Sequence, residues 1–267
     1  MNDKSSGSLN DVPPTESHGG AAGKRDLEQW DAIEALVAAK KHSLRHVLEL
    51  FPAYIRRYQM KRFLAHYDLF KMVLDVPGVI VELGVYRGVS LLTWAKLAEI
   101  FLTTDTNRLV YGFDSFAGLT DFTDKDGRMV PETGKTTGGW SASKVQDEVE
   151  HLVALCNADV VLPRRMPRVK LIVGELNETL PKFLVDNPGI RISLLHFDVD
   201  LYNPTKCGLE LLYDKVVTGG VIIFDEYGLV PWEGESNAVD EFFAGRGITP
   251  RIRKFSHTNL PGGYMIK

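Results

Sequence analysis

The feature that most constrains this chain is residues 79–100, where an apolar run leads through a glycine turn into a helix-favouring segment. Residues 79–83 are mostly β-branched and apolar, with Glu82 near their end. Gly84 and Gly88 follow at an interval of four residues, and residues 91–100 favour a helix. A strand, a tight turn and a helix in this order present backbone N–H groups and a helix N-terminus to a ligand. The sequence therefore predicts a small-molecule site at this turn.

Strand-like and helix-like segments alternate after this turn. Further strands are predicted at residues 109–114, 169–175, 192–199 and 221–224, with helices near residues 91–101, 142–156, 178–185 and 205–217. Such alternation indicates an α/β fold with βαβ units, a mainly parallel sheet and helices on both faces. Near the end, residues 251–256 and 263–267 flank an Asn-Leu-Pro-Gly turn and predict an antiparallel hairpin at the sheet edge.

The N-terminal part differs in composition from the rest. Residues 1–24 are polar and rich in Gly and Ser, so we expect a disordered tail there. Apolar residues at helical spacing predict amphipathic helices at residues 27–46 and 54–74. We expect residues 25–75 to form N-terminal helices that act as a lid or as oligomer contacts. The bases of the second helix are assigned to a solvated face, with a lid or subunit contact as the alternative: Arg56, Arg57, Lys61 and Arg62.

Composition narrows the classes of partner. The 267 residues carry a formal net charge of −4, which offers no broad cationic face for a nucleic-acid backbone. No apolar run approaches the ~20 residues that a membrane span needs. Cys156 and Cys207 are the only cysteines and lack metal-ligand spacing, and no secretory signal pattern is present. We therefore expect a reduced, cytoplasmic protein that binds a small molecule and neither nucleic acid nor a membrane.

Acidic residues end three of the predicted strands at the edge where ligands bind in open parallel sheets. Asp114 ends the second strand, where a carboxylate can accept both hydroxyls of a ribose, and Glu175 follows the third. A dinucleotide-binding fingerprint would need G-x-G-x-x-G and an acid about 20 residues later. Here Asp114 comes 30 residues after Gly84, and Glu82 would repel a pyrophosphate. S-adenosylmethionine carries positive charge, so Glu82 favours that cofactor; a plain strand-turn-helix is the alternative.

A second group of carboxylates, Asp198, Asp225 and Glu226, follows the fourth and fifth strands. Carboxylates brought together repel each other unless protons or a cation compensate, and oxygen ligands of this kind suit Mg²⁺. A cation there can bind a substrate hydroxyl and lower its pKa. Alternatively, these acids cap turns or pair with surface bases. Asp200 and His196 share the alternating face with Asp198, and His196 is either a proton relay or a buried, hydrogen-bonded histidine.

Residues 116–141 form a long polar stretch that is rich in Gly, Thr and Asp. Loops of this length within compact domains are usually functional or disordered, so we expect a lid after the second strand. Trp140 lies in this stretch, and Trp232 is predicted to lie with Glu233 and Glu235 on a loop after the fifth strand. Either tryptophan could stack on a sugar or an aromatic ring, and packing is the alternative.

Four ordered motifs resemble the macrocin O-methyltransferase (TylF-like) family, whose members methylate hydroxyls in natural-product biosynthesis. The motifs are residues 81–88 (VELGVYRG), 111–119 (YGFDSFAGL), 197–202 (FDVDLY) and 219–227 (GGVIIFDEY), within a similarity that runs from about residue 54 to 267. The last motif looks most like enzymes that 3-O-methylate a TDP-linked 6-deoxyhexose such as rhamnose. The resemblance implies a class I methyltransferase fold for residues 76–267. Such a fold is a Rossmann-like three-layer sandwich with a mainly parallel seven-stranded sheet and a C-terminal antiparallel hairpin.

The resemblance also implies roles for individual residues. Carried onto this chain, the family's cofactor-binding residues would be Glu82, Ser90 and Asp114. The full S-adenosylmethionine site that we predict around the ends of the first three strands also includes Gly84, Tyr86, Gly88, Ser115 and Glu175. Asp198 would be both general base and metal ligand, and Asp225 and Glu226 would complete the protein ligands of Mg²⁺. His196 is the second predicted catalytic residue, as a proton relay suggested by its place on the strand. Many relatives have two aspartates where this chain has Asp225 and Glu226, so the third metal ligand departs from the family pattern.

The implied function is methyl transfer from S-adenosylmethionine to a sugar hydroxyl of a nucleotide-linked or glycosidic deoxyhexose, assisted by Mg²⁺. Catechol-type O-methyltransferases share the fold and are the alternative. They use a lysine shortly after the first metal-binding aspartate, whereas here no lysine follows Asp198 before Lys206. A non-catalytic cofactor-binding module is a further alternative. Because members of the family commonly oligomerise, we expect a homo-oligomer.

Overall fold

A computed structural model describes residues 21–267, with side chains from Leu27 onward. Its contacts divide the chain into two compact units between Met60 and Lys61. The N-terminal unit contains α1 (Ala21–Ala39), α2 (Leu44–Glu49) and α3 (Phe51–Tyr54). Of the tail expected at residues 1–24, residues 1–20 lie outside the described residues, and residues 21–24 are part of α1.

The helix predicted at residues 27–46 is interrupted after α1. Lys41 adopts a left-handed conformation with φ of 53°. The hydroxyl of Ser43 then accepts a hydrogen bond from the His46 N–H at 3.2 Å, which caps α2. A serine in this position favours the start of a new helix. The apolar periodicity that predicted one helix therefore extends over two, α1 and α2. The helix predicted at residues 54–74 likewise begins later, as α4 (Arg57–Lys71), since Ile55 is extended.

The second unit is built on a six-stranded sheet. Its strands are β1 (Val79–Leu83), β2 (Val110–Asp114), β3 (Val169–Val173), β4 (Ile192–Phe197), β5 (Val216–Phe224) and β6 (Gly263–Ile266). They lie in the order β3-β2-β1-β4-β5-β6, and every pair is parallel except β5–β6. The helices that follow the strands are α5 (Val89–Phe101), α6 (Gln146–Ala158), α7 (Leu176–Asp186), α8 (Tyr202–Leu212) and α9 (Glu233–Gly245). Within residues 21–267, no helix combines the length and the apolar character needed to cross a membrane.

Helices cover both faces of this sheet. Phe70 of α4 and Trp94 of α5 share one buried cluster with Ile80 of β1. Phe243 of α9 shares a second buried cluster with Leu83, which lies on the opposite face of the same strand. Successive strand residues point to opposite faces, so a strand buried on both sides is largely apolar. The predicted three-layer α/β architecture is confirmed.

The described residues form six strands and not the seven implied by the resemblance, because residues 251–256 contribute only one bridge to β6. Arg253 and Tyr264 exchange two backbone hydrogen bonds of 2.8 Å each. The ladder cannot continue toward Gly262, because its N–H donates to the Asp225 carbonyl at 2.7 Å. Pro261 beyond it has no N–H to offer. The predicted hairpin is therefore reduced to a single bridge, while β6 still forms the antiparallel edge.

Helix α9 occupies residues that the sequence analysis assigned to a loop. Trp232 is its N-cap, and Glu233 and Glu235 belong to its first turn. Val239 and Phe243 are both buried and lie four residues apart, which is the helical signal in this segment. The predicted loop position of Glu233 and Glu235 is wrong, because this apolar face packs against the sheet.

The order of the strands reverses at β1. The chain passes from β1 to β2 and β3 on one side, then crosses to β4 and β5 on the other. In open parallel sheets, ligands bind beyond the carboxyl ends of the strands beside such a point. Asp114, Asp198 and Asp225 lie at or just after these ends. The topology thus brings the two predicted groups of acids to one edge.

Candidate active site

The Asp114 carboxylate, at the end of β2, accepts hydrogen bonds from the turns that follow β1 and β2. Its Oδ2 accepts hydrogen bonds from the N–H groups of Val85 and Tyr86, both at 2.7 Å, and its Oδ1 accepts one from Phe116 N–H at 2.7 Å. Hydrogen bonds to an ionised acceptor are about twice as strong as neutral ones. A carboxylate has about four acceptor positions, so about one remains for a ligand hydroxyl.

Gly84 makes a close approach between the end of β1 and the residue that follows β4. Its φ is 84°, and a Cβ there would lie 2.6 Å from the carbonyl carbon of Asp198 and overlap its oxygen. Gly84 N–H donates to Phe113 O at 2.9 Å, and Asp198 N–H donates to Leu83 O at 2.8 Å. Only glycine fits this position. The backbone of Asp198 is therefore positioned by the β1 turn.

A cleft at this edge is lined by residues from both ends of the predicted site. Five of the eight predicted cofactor residues line it, namely Gly84, Tyr86, Asp114, Ser115 and Glu175. Asp198 and Asp200 line the same cleft. It therefore joins the nucleoside end, at Asp114 and Glu175, to the carboxylate end, at Asp198.

Three non-glycine residues of this cleft have left-handed backbones. Tyr86, Trp140 and Asp200 have φ values of 50°, 55° and 60°. Such conformations cost of order 1–3 kcal/mol each and cluster at ligand sites. The rings of Tyr86 and Trp140 meet edge to face with centroids 5.7 Å apart, so they form one aromatic wall.

The remaining predicted cofactor residues, Glu82, Gly88 and Ser90, are not among the described residues that line the cleft. Glu82 is completely buried and accepts a hydrogen bond from the Ser90 hydroxyl at 2.9 Å. Gly88, with φ of 78°, precedes α5 as its N-cap. These contacts join β1 to α5. Direct contact of the three residues with a cofactor stays a prediction.

Asp198 and Asp225 share one guanidinium group. Arg62 Nη2 lies 2.8 Å from Asp198 Oδ2, and Arg62 Nη1 lies 3.1 Å from Asp225 Oδ2. Burial would raise the pKa of Asp225, but Arg62 and then His196 hold it below its ordinary value. Burial, followed by the charge of Asp225, raises the pKa of Asp198 in spite of Arg62. The two carboxylates thus differ, with Asp225 ionised and Asp198 the more basic.

His196 lies between two carboxylates beneath this pair. Its Nε2 is 3.3 Å from Asp225 Oδ1, and its Nδ1 is 3.5 Å from Glu82 Oε2. Burial by itself would lower the pKa of His196, but Asp225 and Glu82 raise it to about 10. A ring that is protonated at neutral pH has no free nitrogen to accept a proton. The geometry supports the alternative of a buried, paired histidine, and a catalytic role of His196 stays a prediction.

The donor set at this end suits a hard divalent cation. Within the described residues, ligand atoms of His196, Asp198 and Asp225 lie within 4.8 Å of one another. Both ring nitrogens of His196 already face carboxylates, so the oxygen donors available to a cation are Asp198 and Asp225. Glu226 is outside this group, yet its Oε2 is buried without a hydrogen-bond partner, as a further ligand oxygen would be. The residues fit Mg²⁺, and ligation by Glu226 stays a prediction.

Three more buried or half-buried acids surround the pair, namely Asp200, Glu226 and Glu235. Glu235 Oε1 accepts a hydrogen bond from Glu226 N–H at 2.9 Å. Burial raises the pKa of all three well above the ordinary values, and neighbouring carboxylates raise it further. The region therefore has more carboxyl groups than cations to neutralise them.

The long segment between β2 and α6 is held against α8 and α9 by hydrogen bonds and an ion pair. Asp126 and Thr123 form a capping box in this segment, and Asp126 Oδ1 also accepts a hydrogen bond from Tyr202 N–H at 2.7 Å. Lys135 is completely buried and donates to the carbonyl groups of Asp126 and Pro231 and to Glu233 Oε2. The segment is therefore well packed, and its role as a lid stays a prediction.

The two candidate stacking tryptophans have different surroundings. Trp140 lines the cleft, so it is placed to contact a ligand. Trp232 caps α9, and the Lys135 ammonium lies 5.7 Å from the centroid of its ring. This cation–π contact supports the packing role for Trp232.

Three residues of the site, Arg62, His66 and Glu235, were not predicted from the sequence. Arg62 was placed on a solvated face, yet His66, four residues later, is buried with its ring centroid 5.8 Å from that of His196. Residues four apart share a helix face, so this spacing was an available signal. Burial, followed by Arg62, lowers the pKa of His66 well below its ordinary value, which keeps the ring neutral. Glu235 gave no signal once its helix had been read as a loop.

Comparisons with known proteins agree with this fold. Demethyldecarbamoylnovobiocin O-methyltransferase of Streptomyces niveus is 29% identical over 182 residues, which cover 67% of this chain and 63% of that protein. The alignment thus spans less than two thirds of the length of this curated relative. A crystal structure of CalS11, described as a calicheamicin methyltransferase, matches with a TM-score of 0.82 and 28% identity, covering 91% of this chain and 92% of that one.

An apo structure of CalS11, described as a TDP-rhamnose 3′-O-methyltransferase of calicheamicin biosynthesis, matches with a TM-score of 0.74 and 26% identity. It covers 91% of this chain and 94% of that one. These likenesses confirm the predicted class I methyltransferase fold. Residues 56–260 match the family described as macrocin-O-methyltransferase (TylF). The chain therefore belongs to the TylF macrocin-O-methyltransferase family.

Proposed function

We propose that the protein is an S-adenosylmethionine-dependent O-methyltransferase that acts on a sugar hydroxyl in natural-product biosynthesis, assisted by a divalent cation. The acceptor is a deoxyhexose, either nucleotide-linked or glycosidic. One observation carries the proposal: a single cleft is lined by Asp114 and Glu175 at one end and by Asp198 at the other. The acceptors in the names of the relatives support the substrate class.

The nucleoside end of the cleft is prearranged to bind the cofactor. Asp114 is held by three N–H groups and presents its remaining acceptor capacity to a ribose hydroxyl. Tyr86 and Trp140 form an aromatic wall beside it. S-adenosylmethionine supplies the methyl group on a sulfonium, which becomes a neutral thioether as the new O–CH₃ bond forms. The fixed backbone at Gly84 sets the distance between this end and Asp198.

At the other end, Asp198 and Asp225 would hold the divalent cation, with Glu226 as the third protein ligand. When bound, the cation supplies a Lewis acid that lowers the pKa of the acceptor hydroxyl. Asp198 is the proposed proton acceptor, because the resemblance gives it the role of general base and it lines the cleft at this end. Because a carboxylate that binds a cation is a weak base, transfer of the proton through water or His196 is the alternative. His196 acts through Asp225, which it keeps ionised and oriented from beneath.

The test is an acceptor screen with S-adenosylmethionine and Mg²⁺, in which products are identified by mass spectrometry. The acceptors are TDP-deoxyhexoses, deoxyhexosyl glycosides and catechols. A methylated sugar supports the proposal, and turnover of catechols alone would support the phenol alternative. Binding of S-adenosylhomocysteine without any product would point to a non-catalytic module. Full activity in excess EDTA would refute the role of the cation.

A pair of variants separates chemistry from cofactor binding. Asp198→Asn should abolish methyl transfer and leave the affinity for S-adenosylhomocysteine in calorimetry within about threefold. Asp186→Asn is the matched control, because Asp186 is exposed at the end of α7. Its activity and affinity should equal those of the wild type. Unchanged turnover in Asp198→Asn would refute the catalytic role of Asp198.

A homo-oligomer is also proposed, with the N-terminal helices as the contact. The exposed side chains Leu36, Leu44 and Leu48 support it, because apolar groups on short helices gain from burial. Sedimentation velocity of the full chain and of Leu44→Glu tests this proposal. A monomer at all concentrations would contradict it.

A further inference from the structure

We propose that Arg62 is the counter-ion of the carboxylate pair Asp198 and Asp225. A divalent cation must displace Arg62 from both carboxylates in order to bind. Arg62 would then set the metal affinity of the enzyme, although nothing in the sequence motifs assigns it a role. The inference rests on the proposed function, because it assumes that this pair holds the cation.

The contacts of Arg62 place it on both predicted metal ligands. One guanidinium nitrogen reaches Asp198 at 2.8 Å, and another reaches Asp225 at 3.1 Å. An arginine fork that bridges two carboxylates takes up oxygen lone pairs that a hard cation would also use. A guanidinium and a divalent cation at the same pair repel each other as well. Occupation by one therefore disfavours the other.

Burial distinguishes Arg62 from the other cation of the site. The His196 ring is completely buried and lies between Glu82 and Asp225, so it cannot leave without unfolding its surroundings. The Arg62 side chain keeps 27% of its surface exposed, as Asp198 keeps 25%. Arginine also has a long stem that can move its head group toward solvent. Arg62 is the exchangeable partner of the pair, and His196 is the permanent one.

The position of Arg62 on α4 is suited to such an exchange. His66, one turn further along the same face, is buried and kept neutral by burial and by Arg62. Because His66 is buried and the Arg62 side chain is partly exposed, we infer that the guanidinium would leave toward solvent and not inward. Release of Arg62 would leave Asp198 and Asp225 uncompensated except by His196, which favours binding of a divalent cation.

Mn²⁺ binding, followed by electron paramagnetic resonance at fixed pH, tests this inference without any turnover. Arg62→Gln should bind Mn²⁺ at least tenfold more tightly than the wild type. Arg62→Lys, whose single ammonium pairs with fewer oxygens, should bind with an intermediate affinity. Lys61→Gln is the matched control, because Lys61 is an exposed base on the same helix. Its affinity should stay within twofold of the wild type.

The outcomes separate this inference from the proposed function. Equal or weaker Mn²⁺ binding by a folded Arg62→Gln overturns the counter-ion role and leaves the metal site standing. If Arg62→Gln does not fold, equal or weaker binding by Arg62→Lys has the same meaning. Binding that persists unchanged in Asp198→Asn, or that is absent from both wild type and Arg62→Gln, overturns the metal site and this inference together.

Discussion

Replacement of Gly84 by alanine should disconnect the two ends of the cleft. The residue has a left-handed φ of 84°, and its added Cβ would overlap the carbonyl oxygen of Asp198. The same Cβ would stand 2.6 Å from the carbonyl carbon, whereas carbon atoms normally approach to about 3.5–4.0 Å. The β1 turn and Asp198 would have to separate by at least about 1 Å, because the carbonyl oxygen is closer to the added Cβ than the carbon is.

The expected loss of stability has two parts. A left-handed backbone costs about 1–2 kcal/mol for a residue with a Cβ. Separation of the turn also lengthens the hydrogen bonds from Gly84 to Phe113 and from Asp198 to Leu83, now 2.9 and 2.8 Å, and each contributes about 1 kcal/mol. Gly84→Ala should therefore lower the free energy of unfolding by about 3–4 kcal/mol. A shift of about 1 Å in Asp198 should also slow methyl transfer by about 100-fold.

Gly247→Ala is the matched control for the backbone term. Gly247 has a φ of 66°, and a Cβ there would meet no atom within 4 Å. Urea unfolding of this variant should show a loss of only about 1–2 kcal/mol, with methyl transfer unchanged. Equal losses of stability and activity in the two variants would refute the argument that Gly84 is required for the close approach to Asp198.

Two further predictions concern the charged groups of the site. His196→Gln should lower the free energy of unfolding by about 3–5 kcal/mol near neutral pH, because Glu82 and Asp225 lose a buried partner. Since the pKa of His196 is raised from 6.5 to about 10, its contribution is complete below pH 6.5 and is lost as the pH rises through about 10. Urea unfolding across this pH range should show that loss of stability in the wild type and not in His196→Gln. If the two proteins lose stability in parallel as the pH rises, the assignment of this contribution to His196 is wrong. Asp114→Asn should weaken S-adenosylhomocysteine binding in calorimetry by at least tenfold (~1.4 kcal/mol), because an amide N–H₂ would face the N–H donors of the turns. An affinity equal to that of Asp186→Asn would count against it.

The sheet of the second unit could be predicted because its strands are short apolar runs with acidic ends. β1 to β4 lie within a few residues of the predicted positions. β5 begins at Val216 and not at the predicted residue 221, so it also contains Gly219 and Gly220. In the structure these glycines run through the strand, and a register irregularity in the pairing with β4 accommodates them.

The site could be predicted only as far as topology determines it. The ends of adjacent parallel strands meet, so the proximity of Asp198 and Asp225 follows from strand order. The direction of a side chain depends on what packs against it, which explains why Glu82 faces His196 and Ser90 inside the protein. The pairing of Arg62 with Asp198 joins residues 136 positions apart, and no local pattern encodes such a contact.

The attachment of the segment after β2 to α8 and α9 has a consequence for protein engineering. Asp126 is bonded to the start of α8, the carbonyl of Lys125 accepts from Asn237, and Lys135 pairs with Glu233. A chimera that took residues 116–141 from another protein without α9 would remove Lys135 and Asp126, and so leave Glu233 without its cation and the Tyr202 N–H without its acceptor. The segment and the helix form one packed unit, so an exchange between proteins should include both.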